Sequence, residues 1–287
     1  MKNSRRISAL TLVLAGAFLV ITGFRVFIHS AHSWHERPSQ PLYSSTGAMT
    51  DQENNTYPTV TLGELEWMAA NLNVTTFRDG TPITQAKTYS DWAKLWAEKE
   101  PAWAWVDLDP EKGDRYGRLY NWAAVSDPRG LAPEGWEIPD SAAWMSLISA
   151  ADVQSIICRR ETARYQDTYL KGTYTAQVLQ SPAEEWHNND WLVPDISEKI
   201  GSNEAGFNAI PGGKIGYTGE NKEKDFGLSS LEVGQWACWW GKDGLSLYIG
   251  DHSHNSVHRF SSLYQDKGRI YGMNVRCFRP KRIPNSN

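Results

Sequence analysis

Cysteine is scarce in this chain of 287 residues: Cys158, Cys238 and Cys277 are all it has. Three thiols exclude a disulfide scaffold and allow one internal bridge at most. No CxxC, HExxH or Cys/His zinc spacing occurs. GxSxG, the P-loop and the dinucleotide-binding glycine pattern are also missing. "DFG" at 225–227 stands without a glycine-rich loop, a paired lysine or a catalytic loop, so it carries no kinase meaning. There is no Lys/Arg block and no internal repeat. Net charge is −4, and residues 34–287 carry −8, because the first 33 residues hold four cations and no acid. Such a domain is a poor match for nucleic acid.

Long apolar runs are limited to one. Ile7 to Phe24 is uncharged and follows the basic "MKNSRR". This reads as a signal peptide over 1–33 or as a membrane anchor over 7–28, with the rest outside the cytoplasm in both cases. Residues 34–56, rich in Ser, Thr, Pro, Gln and Asn, read as a flexible linker, and 281–287 as a polar tail.

What the chain has in excess is tryptophan, 14 copies. Indoles bury large areas and need partners for their N–H. From Tyr57, Val60 and Leu62 alternate with Thr before a Gly turn and Leu65, Trp67 and Met68, which predicts a β-hairpin. "SDWAKLWAEKE" predicts a helix capped by Ser90 with Trp92, Leu95 and Trp96 on one face. Leu119–Val125 predicts a short buried helix that ends before Pro128. "PDSAAWMSLISAAD" predicts a helix capped by Asp140, with Trp144, Leu147, Ile148 and Ala151 inward. Beyond about 172 the chain reads as short strands between Gly-rich loops. The class is therefore α+β.

Six segments fall in a familiar order: "WMAANLNV" (67–74), "YGRLYNWAAV" (116–125), "LAPEGWEIPD" (131–140), "GFNAIPGG" (206–213), "WW" (239–240) and "NVRCFR" (274–279). Over 57–280 the chain resembles the Fibrobacter succinogenes major paralogous domain (FISUMP). The resemblance implies a C-type-lectin-like fold: two main helices, small antiparallel sheets and long irregular loops. It also implies a surface or secreted protein of Bacteroidota-type or Fibrobacterota-type bacteria, with no set activity. Formylglycine-generating enzymes share that fold but use two closely spaced cysteines on copper, a pair this chain lacks. Some family members carry Cys where Ala104 and Ala132 stand, which implies a dispensable disulfide and a core role for Cys277. Cys158 and Cys238 are then the candidate bridge.

Three groups are candidates for chemistry. "DLDPEKGD" sets Asp107, Asp109, Glu111 and Asp114 close in sequence, a candidate calcium loop whose bland reading is an acidic solvated turn. "DHSHNSVHRF" offers Asp251, His252, His254 and His258 as metal ligands, against an exposed loop. Trp186, Trp191 and Trp236 lie in Gly/Asn-rich segments and are candidates for stacking on a sugar or anchoring a partner. Trp122, Trp136 and Trp144 belong to motif segments and are expected inside, as are Tyr116 and Tyr120. The expected function is non-enzymatic binding of a glycan or an envelope protein, without a required cofactor, calcium aside. A purely structural envelope role and an enzyme of unknown type are the alternatives.

Overall fold

Alternation of Val60 and Leu62 with Thr59 and Thr61 splits strand β2 (Thr56–Leu62) into an apolar face and a polar face. Gly63, at φ 61°, opens a two-residue turn into β3 (Leu65–Met68), and the pair forms the expected hairpin. The structure is a computed structural model. It describes residues 44–151, 156–162, 165–171, 179–181, 186, 203, 205–217, 227–250, 260–265 and 268–281.

The chain continues through β4 (Thr84–Gln85), α1 (Tyr89–Glu98), β5 (Ala102–Trp105), α2 (Gly113–Tyr116), β6 (Arg118–Asn121), α3 (Trp122–Val125) and α4 (Ser141–Ala151). Then follow β7 (Ile156–Thr162), β8 (Tyr165–Lys171), β9 (Lys214–Tyr217), β10 (Leu228–Leu231), β11 (Trp236–Trp240), β12 (Leu245–Gly250), β13 (Phe260–Gln265), β14 (Gly272–Met273) and β15 (Phe278–Pro280). They form three sheets, ordered β1-β2-β3-β15, β10-β9-β14-β6-β5-β4 and β11-β12-β13-β8-β7, where β1 is Ser44–Thr50. The architecture is α+β, as expected. β15 returns to pair with β3, so the end of the domain closes on its first hairpin.

Three expectations are corrected. Residues 44–56 are not linker: β1 pairs along β2, and Asp51 shapes the turn between them by accepting from Glu53 N, Asn55 N and Tyr57 OH at 2.8, 3.0 and 2.6 Å. An edge strand is held by backbone bonds, which a Ser/Thr-rich composition does not reveal. Helix α1 is capped by Thr88 with Asp91 in a reciprocal box, not by Ser90. Trp92 alone of its expected apolar face is fully buried, its Nε1 donating to Ile270 O at 2.8 Å, while Trp96 is 37% exposed. The Leu119–Val125 segment is half strand, half helical turn, because Arg118–Asn121 pairs with β5 and β14.

Helix α4 is as expected. Asp140 accepts from Ala143 N at 2.9 Å, and Trp144, Leu147, Ile148 and Ala151 are buried. They pack with Trp67, Phe207 and Trp239 in one core, while Tyr120, Trp136 and Trp240 build a second and Trp92 a third. The Ala143 amide holds the Asp140 carboxyl below its ordinary range, against a smaller opposing effect of burial. A depressed folded value gives stability that is present above the unfolded carboxylate range and lost as pH falls through the folded value. Asp140→Ala is expected to cost about 1 kcal/mol at neutral pH and nothing once the carboxyl is protonated, read from denaturation midpoints across pH.

Candidate functional site

Strand β11 runs between two cores, and its alternation divides them. Ala237 and Trp239 enter the first, Cys238 and Trp240 the second. Trp236, at the strand's entrance, joins the second core only at its edge and stays half-buried. It faces Gly250 across the ladder, and a Cβ there would collide with Cδ2 and Cε3 of the indole. The ring thus lies against bare backbone.

Beside it, Trp236 meets Tyr248 edge-on at 6.3 Å. Lys214 Nζ lies 4.7 Å from the Tyr248 centroid and 5.1 Å from that of Tyr271. Half-buried Tyr271 repeats the Trp236 arrangement: a Cβ on Gly216 would stand 3.0 Å from its Cδ1 and Cε1. Arg269 lies over the same ring at 5.5 Å. Tyr271, Lys214, Tyr248 and Trp236 therefore form a continuous strip, with both of its half-buried rings set on glycine.

Backbone geometry places the strip. Gln235 N and Trp236 N donate to Glu232 O at 3.0 and 2.9 Å, and Gly213 N donates to Trp236 O at 2.8 Å. Gly213, at φ 62°, has Leu231 O where a Cβ would go, so no other residue fits. Lys214 is nearly buried and pairs with Glu232 Oε2 at 2.9 Å. Burial works to lower its pKa, but Cys238, Glu232 and Tyr271 outweigh it and raise the value above the ordinary lysine range. The ammonium is therefore a fixed cation and not an activated amine nucleophile. A raised folded value means that its contribution is fully present below the unfolded value and is lost as pH climbs through the folded one.

The sequence candidates fare unevenly. Trp186 is a core residue: it is buried among the first cluster and donates Nε1 to Ser181 Oγ at 3.2 Å, which removes it from any ligand face. Trp191, Asp251, His252, His254 and His258 lie outside the described residues, as do residues 1–43 with the apolar run Ile7–Phe24. Among the described residues no helix is long and apolar enough to cross a membrane. Asp107, Asp109 and Asp114 do not converge. Asp107 pairs with Lys112, Asp109 caps a 3-10 turn by accepting from Glu111 N at 2.9 Å, and Asp114 is exposed on α2. Among the described residues no group of three or more His, Cys, Asp or Glu is set to hold a metal.

Cys158 and Cys238 are separated by the third sheet. Cys158 pairs with Tyr169, Tyr169 with Ser262, Ser262 with Tyr248, and Tyr248 with Cys238. Four strand steps amount to about 19 Å, against about 4.4–6.8 Å between the Cα atoms of a bridged pair. The expected bridge is corrected on that ground. Cys277 is a free thiol in the second core, raised by burial, as expected of a small core residue. Ala104 and Ala132 are buried in different cores.

Lys214, Glu232, Tyr248 and Tyr271 escaped sequence reasoning. The trace that the two tyrosines left is a glycine close by in sequence, in "SLYIG" and "RIYG". A protein-family model, described as the Fibrobacter succinogenes major domain, matches residues 60–279. No curated protein and no solved structure matches the chain.

Proposed function

The chain belongs to the Fibrobacter succinogenes major domain family, and from that premise we propose a non-enzymatic binding module of the bacterial envelope or surface. Its ligand is a saccharide held on the strip from Trp236 to Tyr271. The proposal includes a C-type-lectin-like fold, supported by two main helices, small sheets and long connections. It also includes export, supported by the basic and apolar N-terminal segment. One observation carries the binding reading: Trp236 and Tyr271 are half-buried rings, each laid on a glycine. A flat apolar face with nearby polar groups is what a sugar ring needs, since it offers an apolar face and a rim of hydroxyls.

Affinity electrophoresis of the full chain through gels that contain individual polysaccharides tests this. Retardation by at least one of them is expected, with and without calcium. Gly250→Ala, which displaces the Trp236 ring, is expected to weaken it about tenfold, the equivalent of about 1.4 kcal/mol. Turnover of a bound sugar, or full retardation of the Gly250→Ala protein, contradicts the reading.

A further inference from the structure

We infer that Glu232 is the hydrogen-bond acceptor that orients the hydroxyls of a neutral saccharide on this strip, with Lys214 as its positioning residue. This rests on the saccharide-binding reading. Glu232 and Trp236 belong to one turn, joined by the bond from Trp236 N to Glu232 O, so acceptor and platform move together. Glu232 holds a left-handed backbone, φ 63°, a conformation that glycine or asparagine adopts more easily. A side chain kept at such a position carries a steric penalty, and strained residues gather where a side chain must be aimed.

The aim is visible. Lys214 takes Oε2 at 2.9 Å, and the side chain is 36% exposed. A carboxylate offers about four acceptor positions, so sugar hydroxyls can add to the one already used. Charge selects among sugars. The pair is neutral as a unit, and a uronate would bring its carboxylate toward that of Glu232. Arg269, on Tyr271 at the far end, is the group that would favour an acidic sugar instead. If Glu232 only neutralises Lys214, removing both charges together leaves binding intact.

The full chain is run through gels containing a neutral mannan, a neutral glucan or a polyuronate, at low and high salt. Retardation by a neutral polymer, insensitive to salt, is expected. Glu232→Gln should weaken it about tenfold, because a hydrogen bond to a charged acceptor is roughly twice as strong as a neutral one. That variant leaves Lys214 buried without its anion, so Lys214→Gln/Glu232→Gln is tested beside it and should be equally weak with a wild-type melting temperature. Preference for polyuronate overturns the inference. So does wild-type binding by the double variant when Trp236→Ala abolishes binding. Unaltered binding by Trp236→Ala, or no retardation by any polymer, sinks the saccharide-binding reading and this inference with it.

Discussion

Arg276→Leu is expected to lower the stability of the domain by about 3–5 kcal/mol or prevent folding outright. Arg276 is completely buried. Its Nη2 donates to Asn71 Oδ1 at 2.7 Å and its Nε to the same atom at 3.2 Å, while Nη1 donates to Phe207 O and to Asn208 O. The guanidinium lies 4.5 Å from the Phe207 centroid and 5.1 Å from the Trp239 ring. Asn71 Oδ1 also accepts from Trp239 Nε1 at 2.9 Å, and Asn71 Nδ2 reaches Tyr116 O. One side chain thus ties the first hairpin's exit, the 206–213 loop, β11 and the closing segment. Burial pushes Arg276 down to about 9, still above neutrality, so a cation sits inside the fold on neutral oxygens. Leucine leaves the Phe207 and Asn208 carbonyls without that donor, at about 1–3 kcal/mol each, while Asn71 Oδ1 keeps only Trp239 Nε1. Arg276→Lys should rescue only part of the loss, since one ammonium cannot span the fork. Urea denaturation followed by far-UV circular dichroism reads the result; a loss below about 1 kcal/mol, the level of an ordinary surface change, would refute it.

Trp144→Ala is the second large effect, about 3–5 kcal/mol. Trp144 stacks on Trp67 at 5.3 Å and meets Trp239 at 6.3 Å, and Trp67 in turn stacks on Phe278 at 5.2 Å. The helix docks through this ring, so its removal opens a cavity between α4 and two sheets. The indole Nε1 of Trp144 is buried without a partner. The cost is therefore one of volume and not of a lost hydrogen bond. Trp144→Phe should accordingly cost far less, because it keeps most of the ring and removes an unsatisfied donor. Equal losses for the two variants would contradict that account.

Segments whose local pattern and burial agree were legible in the sequence. The hairpin at Val60–Met68 and the helix from Ser141 show their inward faces by period alone, and the six ordered motifs identified the family. Strand β1 was hidden because its bonds are backbone bonds to a neighbour already in place. Trp186 was misplaced because a polar neighbourhood in sequence does not report what packs over it in space. The Cys158–Cys238 bridge failed because strand order, set by pairings far apart in the chain, put the two at opposite edges. Trp236 was found, for its Gly-rich segment, but its companions were not. Lys214 and Tyr248 come from β9 and β12 and Tyr271 from just before β14, and only glycines opposite the rings hint at their meeting.

The direct test compares two tryptophans that sequence alone treated alike. Wild-type, Trp186→Ala and Trp236→Ala full chains are measured for melting temperature and for retardation by the polysaccharide that binds best. The account predicts that Trp186→Ala melts lower while its folded fraction binds as wild type, and that Trp236→Ala melts near wild type and loses binding. Loss of binding with Trp186→Ala at full stability, or intact binding with Trp236→Ala, would contradict it.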